Sequence, residues 1–159
     1  MQKNAAPHPV VYELIWWVFT IVVAVLVLLP IYTHVPDFPY FVPNFVYVVA
    51  AITLTRYLFF LKISWLRDRL LLQAIIAMAL LPLIFWMVQY FNEFITYRDE
   101  QGPDVFVRHL GRETGQMLDR YLLNEYKFFG VWAVVAALAT PFRLVANVWL
   151  RYRAGVKAL

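Results

Sequence analysis

The sequence predicts an all-α integral membrane protein: a bundle of four transmembrane helices, both termini cytoplasmic, with one amphipathic extracytoplasmic helix before the fourth span. Three observations predict it. The 159 residues are 63% hydrophobic and 15% charged, against roughly 45–50% and about 25% in an ordinary soluble domain. Most of that apolar surface needs lipid as its solvent. The apolar residues also fall into four runs, 10–32, 42–61, 70–91 and 128–150. Each is near the roughly 20 residues that a helix needs to cross about 30 Å of hydrocarbon. Finally, the basic residues divide unequally between the two ends of those runs. The length suits one membrane domain over residues 1–159 and no second soluble unit.

The charge division sets the expected orientation. One side collects Lys3, Lys62, Arg67, Arg69, Arg151, Arg153 and Lys157, with Glu13 and Asp68 as the acids nearby. The other side has Arg98, Arg108, Arg112, Arg120 and Lys127 among eight Asp and Glu residues. Basic residues in short loops stay in the cytoplasm. Both termini and the 62–69 turn are therefore expected inside, in a plasma or inner membrane.

The first run is longer than the apolar part of a signal peptide, has no small-residue cleavage site, and leads into "LLPIYTHVPDF". Trp16 and Trp17 stand near its inner end, where interfacial anchors belong. The connection "THVPDFPYFVPNF" holds three prolines, which oppose a regular helix. Its Phe38, Tyr40, Phe41 and Phe45 are expected to form a belt in the outer interface. The second and third runs are joined by a short basic turn, so they form an antiparallel hairpin. Pro82 near the middle of the third run frees a backbone carbonyl that something must satisfy.

Residues 92–127 are the sizeable polar region. "YRDEQGPD" reads as a loop with the breaker pair Gly102-Pro103. Beyond it, Phe106, Leu110, Met117, Leu118, Tyr121 and Leu122 recur at helical spacing among charges, which predicts the amphipathic helix. Gly111 and Gly115 weaken it. In the fourth run, Gly130, Ala133, Ala137 and Thr140 share one face. Small residues let helices approach closely in lipid, so this face is the expected packing seam.

Few residues inside the spans carry chemistry. Arg56 lies about 9 Å deeper than Lys62 along its helix, and Arg143 about 10 Å from the end of the fourth run. Glu13 enters from the opposite direction, and Asn147 sits one turn beyond Arg143. An ionised group at such depth costs about 2.5–3.5 kcal/mol on insertion scales. Glu13, Arg56, Arg143 and Asn147 are therefore expected to converge in the inner leaflet. There they would pair, reach lipid headgroups, or hold an ion.

Several chemistries lack their residues. The chain has no cysteine and a single serine, Ser64, with no histidine in a span to activate it. Its His8, His34 and His109 lie outside the spans, which leaves no axial pair for a membrane haem. With five glycines it has no phosphate loop. No metal and no cofactor are expected. The expected partners are membrane lipids, through anionic headgroups on the cytoplasmic side, and other membrane subunits or further copies of the chain; nucleic acid is not.

The expected role is a non-enzymatic subunit, or an assembly or scaffold component, of a larger membrane complex. Two other classes account for less of the sequence. One is an oligomeric small transporter or channel with an inner-leaflet Arg/Glu site. The other is a lipid- or quinone-handling enzyme, for which Glu13 or Glu93 is the available base.

Overall fold

The computed structural model describes residues 9–155; the polar tail with Lys3 and His8, and the last four residues with Lys157, lie outside the described residues. Four long helices follow one another: α1 (Pro9–His34), α2 (Phe41–Phe60), α3 (Leu70–Gln101) and α4 (Arg112–Arg153). Two 3-10 turns, Leu61–Ile63 and Trp65–Asp68, join α2 to α3, and no strand occurs among the described residues. All four helices are long and apolar enough to cross a membrane.

Cross-helix contacts define the path of the chain. α1 begins beside the end of α2, where Glu13 meets Arg56, and ends beside its start, where the Tyr32 and Phe41 rings lie 5.8 Å apart. α4 runs in the same direction as α2: Asn44 meets Glu125, Thr55 meets Trp132, and Leu58 meets Arg143. It runs against α3: Arg98 meets Asp119, Tyr90 meets Tyr126, and Gln73 meets Asn147. The direction thus alternates along the chain. Both ends of the described chain lie at the same end of the bundle as the 62–69 turn. α2 and α3 form the expected antiparallel pair, yet they touch little; α4 packs on both.

The small-residue face lets α4 occupy that place. Gly130, Ala133, Ala136, Ala137 and Thr140 are all buried. At Gly130 the approach is closest. A β-carbon there would lie 2.6 Å from Phe91 Cδ2 and 3.7 Å from Tyr47 Cδ2. The seam of α4 therefore faces α2 and α3 of the same chain. Helices α1, α3 and α4 continue through Pro30, Pro82 and Pro141. Pro43 falls in the first turn of α2, where a missing N–H has no helical partner to lose.

Two expectations for the outer end change. The loop expected at 97–104 is helical as far as Gln101. α3 stops at Gly102, whose φ of +98° suits glycine. Likewise, only part of the amphipathic stretch is helical, and that part is continuous with the fourth span. Phe106 and Leu110 lie in a run of turns, and from Arg112 onward the stretch is the first part of α4. Hydrogen bonds from Val105 to Gly102, Val107 to Asp104 and Leu110 to Val107 close these turns. Bonds three residues apart space side chains much as a helix does, which explains the misleading period. α3 and α4 thus extend about 15 Å and about 24 Å past their apolar runs.

Those extensions enclose an aromatic core. The Phe94 ring stacks on Tyr126 at 3.9 Å, and Phe38, Tyr40, Tyr97 and Phe106 close around it. Phe38 and Tyr40, expected in an interfacial belt, are 4% and 5% exposed. The α3 and α4 extensions and the 102–111 turns cover them. Burial, reinforced by the Glu93 carboxylate, raises the Tyr40 phenol above its ordinary pKa, so it stays neutral.

Candidate functional site

The inner end of the bundle concentrates the polar side chains that the sequence singles out. α1 presents Glu13 to the last turns of α2. One carboxylate oxygen accepts from Arg56 Nη2 at 2.5 Å, and the other from Ser64 Oγ at 2.5 Å. Ser64 stands between the two 3-10 turns and also caps the second, accepting from the Leu66 N–H. Glu13, Arg56 and Ser64 are all buried. The pair is close to neutral as a unit, which is how two charges are tolerated away from water.

Arg56 is only partly used. Its Nε and Nη1 are buried with no hydrogen-bond partner. The Tyr57 ring lies 4.5 Å from the guanidinium carbon and favours the cation through its π face. Arg56 also helps to wall an apolar groove of about 320 Å³ between α1, α2 and α4. Trp16, Phe19, Phe60, Phe129 and Trp132 are its aromatic walls. Trp132 is fixed there by its indole N–H, which donates to Thr55 Oγ1 at 2.8 Å.

The four expected residues do not form one cluster. Arg143 is half-buried, and its Nε donates to the Leu58 carbonyl near the end of α2 at 3.3 Å. Asn147 donates to Gln73 Oε1 at 3.0 Å and to the Arg67 carbonyl at 3.3 Å. Gln73 in turn donates to the carbonyls of Leu66 and Arg67. Glu13 with Arg56 and Ser64 thus makes one site, while Asn147 with Gln73 and the turn makes another. Arg143 holds a helix end between α2 and α4. On the surface, Arg151 reaches Asp68 at 2.8 Å.

Two further buried ties lie toward the other end. Asn44 Nδ2 donates to Glu125 Oε2 at 2.7 Å. Arg98 grips both oxygens of Asp119, at 2.7 and 2.6 Å, and donates from Nε to the Pro103 carbonyl. Sequence reasoning missed Ser64, Gln73, Asn44, Glu125 and Arg98 as partners. A polar residue flanked by apolar ones was the available signal at Asn44 and Gln73. Glu125 and Arg98 were counted with the outer loop charges, and Ser64 was weighed as a nucleophile alone.

Near the remaining candidates for chemistry the contacts are simple. Glu13 is the group beside the serine hydroxyl, and Arg56 holds the other oxygen of its carboxylate. The imidazole of His109 contacts the His34 carbonyl at 2.8 Å, and His34 Nδ1 turns back to its own helix at Pro30. Among the described residues, no three His, Asp or Glu side chains gather as a metal site would require. What the inner site does offer is spare N–H donors beside an apolar groove. Comparison with known proteins adds no relative: no family model, curated protein or solved structure matches the chain.

Proposed function

We propose that the chain is a non-enzymatic subunit or scaffold component of a larger membrane complex, with both termini cytoplasmic in a plasma or inner membrane. One observation carries this reading. Among the described residues four charged side chains are buried, Glu13, Arg56, Arg98 and Glu125, and each is bound to a side chain of another helix. The ties link α1 to α2, α2 to α4, and α3 to α4. Charges buried away from water are expensive unless they are paired. Here they serve to hold one arrangement of helices, as a scaffold requires.

The orientation is supported by place. Lys62, Arg67, Arg69, Arg151 and Arg153 cluster at the end where the described chain starts and stops, and short basic segments remain inside. The extensions of α3 and α4 then stand outside the membrane as a folded head. A transport path lined by Glu13, Arg56 and Arg143 has less support, because Arg143 is engaged with α2 backbone apart from the Glu13–Arg56 pair.

The test is native mass spectrometry of the tagged protein, purified in mild detergent at native abundance. Unlike membrane chains are expected at fixed stoichiometry. A lone monomer, or a homo-oligomer that carries ions across vesicles, would overturn the reading.

A further inference from the structure

We propose that the groove between α1, α2 and α4 binds the head ring of a lipid-soluble quinone, with Arg56 donating to a ring carbonyl. This stands independently of the scaffold reading. It rests on three observations around Arg56, and it requires the guanidinium, whose two free nitrogens are covered here, to turn toward the groove.

The first is the unmet donors. Arg56 is 5% exposed, and two of its guanidinium nitrogens have no partner. Buried N–H groups in native proteins are nearly always matched, so a missing acceptor is the simplest completion. Glu13 meets Arg56 through Nη2 alone and gives neither of the other two nitrogens an acceptor.

The second is charge. The Glu13 carboxylate already balances the Arg56 cation. A second anion would leave the buried site with a net negative charge, which the apolar surroundings oppose. A neutral oxygen acceptor fits, and a ring carbonyl is one that a hydrocarbon-soluble molecule can bring.

The third is shape and depth. Five aromatic rings, those of Trp16, Phe19, Phe60, Phe129 and Trp132, wall a space of about 320 Å³. Flat rings pack well against a flat ring. Arg56 also lies about 9 Å along α2 from the Lys62 end, deeper than phosphates or ester carbonyls of an undistorted bilayer. A quinone ring reaches that depth; a phospholipid headgroup does not. The proposal concerns binding and includes no electron transfer.

The experiment uses the full chain in phosphatidylcholine nanodiscs, titrated with decylubiquinone. Quinones quench indole fluorescence on contact, and Trp16 and Trp132 line the groove. Quenching that saturates near one quinone per chain is expected. Two variants carry the decision: Ile52→Phe, which fills the groove, and the pair Glu13→Gln with Arg56→Met, which removes the donors while keeping the site neutral. Each should weaken the saturable phase at least 10-fold.

Size-exclusion and circular dichroism check the fold. If the pair fails to fold, Ile52→Phe decides by itself. Quenching that rises without saturation, or that saturates equally in a folded Ile52→Phe variant, overturns the proposal. So does a phospholipid retained in native mass spectrometry, lost with Ile52→Phe and not displaced by the quinone; it would assign the groove to an ester lipid.

Discussion

Gly130 of α4 and Phe91 of α3 meet with no room for a methyl group between them: a β-carbon on Gly130 would stand 2.6 and 2.7 Å from Cδ2 and Cε2 of the ring. Two effects oppose each other when Gly130 becomes Ala. Alanine is favoured over glycine in a helix by about 1 kcal/mol. Overpacking a close contact costs about 1–3 kcal/mol, and the obstacle is the ring itself, which has no flexible end to swing away. The contact should win. Gly130→Ala should lower the thermal midpoint in detergent, and adding Phe91→Leu should restore part of it. A midpoint at or above that of the parent would mean that α3 and α4 can separate at no cost.

The Glu13–Arg56 pair predicts a strongly non-additive cycle. Arg56→Met leaves the Glu13 carboxylate buried with Ser64 as its remaining partner. Removing one member of a buried pair costs about 3–5 kcal/mol, whereas replacing both is often nearly neutral. Arg56→Met alone should therefore be much less stable than Glu13→Gln with Arg56→Met together. Reversible unfolding in mixed micelles measures the difference. Additive effects would show that the pair does not act as a unit.

Much of this fold was legible because lipid leaves strong traces. Four apolar runs gave four helices, and Glu13 and Arg56 met because few groups in a membrane can satisfy each other. What failed was legibility above the apolar runs. Phe38 and Tyr40 looked like residues for a lipid interface. Nothing local told that α3 and α4 continue outward and bury them. Arg143 and Asn147 lie at the end of the bundle that holds Glu13 and Arg56, but their protein partners were not legible. Their acceptors are the Leu58 and Arg67 carbonyls and the Gln73 amide. Backbone acceptors are the same at every residue and leave no mark in a sequence.

Gln73 predicts a local effect. Its amide donates to the Leu66 and Arg67 carbonyls and accepts from Asn147, and it is fully buried. Gln73→Leu keeps a similar volume but strips both carbonyls of a donor. The Leu66 carbonyl keeps the Arg69 N–H and the Arg67 carbonyl keeps Asn147, so the cost is that of lost hydrogen bonds, about 0.5–1.5 kcal/mol each. The loss should appear as loosening of the 62–69 turn. Limited trypsin digestion at Arg67 and Arg69 should become several-fold faster, with the rest of the chain protected as before. Unchanged cleavage would mean that the 3-10 turns hold their shape without Gln73.

At the other end, Arg98 should govern the head. It clamps Asp119 with two bonds and holds the Pro103 carbonyl with a third. It thereby fixes the turns at 102–111 to both α3 and α4. Nη2 serves both Asp119 oxygens while Nε serves the carbonyl, and the single ammonium of a lysine cannot hold the two acceptors from separate nitrogens. Arg98→Lys should speed amide hydrogen exchange across 102–111 and leave the Glu13–Arg56 end unchanged. If exchange rose equally at both ends, the clamp would be part of global stability and not a local one.

The chain has no cysteine, so single cysteines can report its orientation without background. Lys62→Cys lies in the turn between α2 and α3, and Gly111→Cys lies just before α4, where added atoms would meet open space. The concentration of basic residues around 62–69 and 151–153 should keep that end in the cytoplasm. In intact cells, a membrane-impermeant maleimide should label Gly111→Cys and spare Lys62→Cys until the membrane is opened. The reverse pattern would turn the molecule over. It would place the aromatic head inside and the Arg56 site in the outer half of the bilayer. Labelling of both positions in intact cells would mean that the helices do not all cross the membrane.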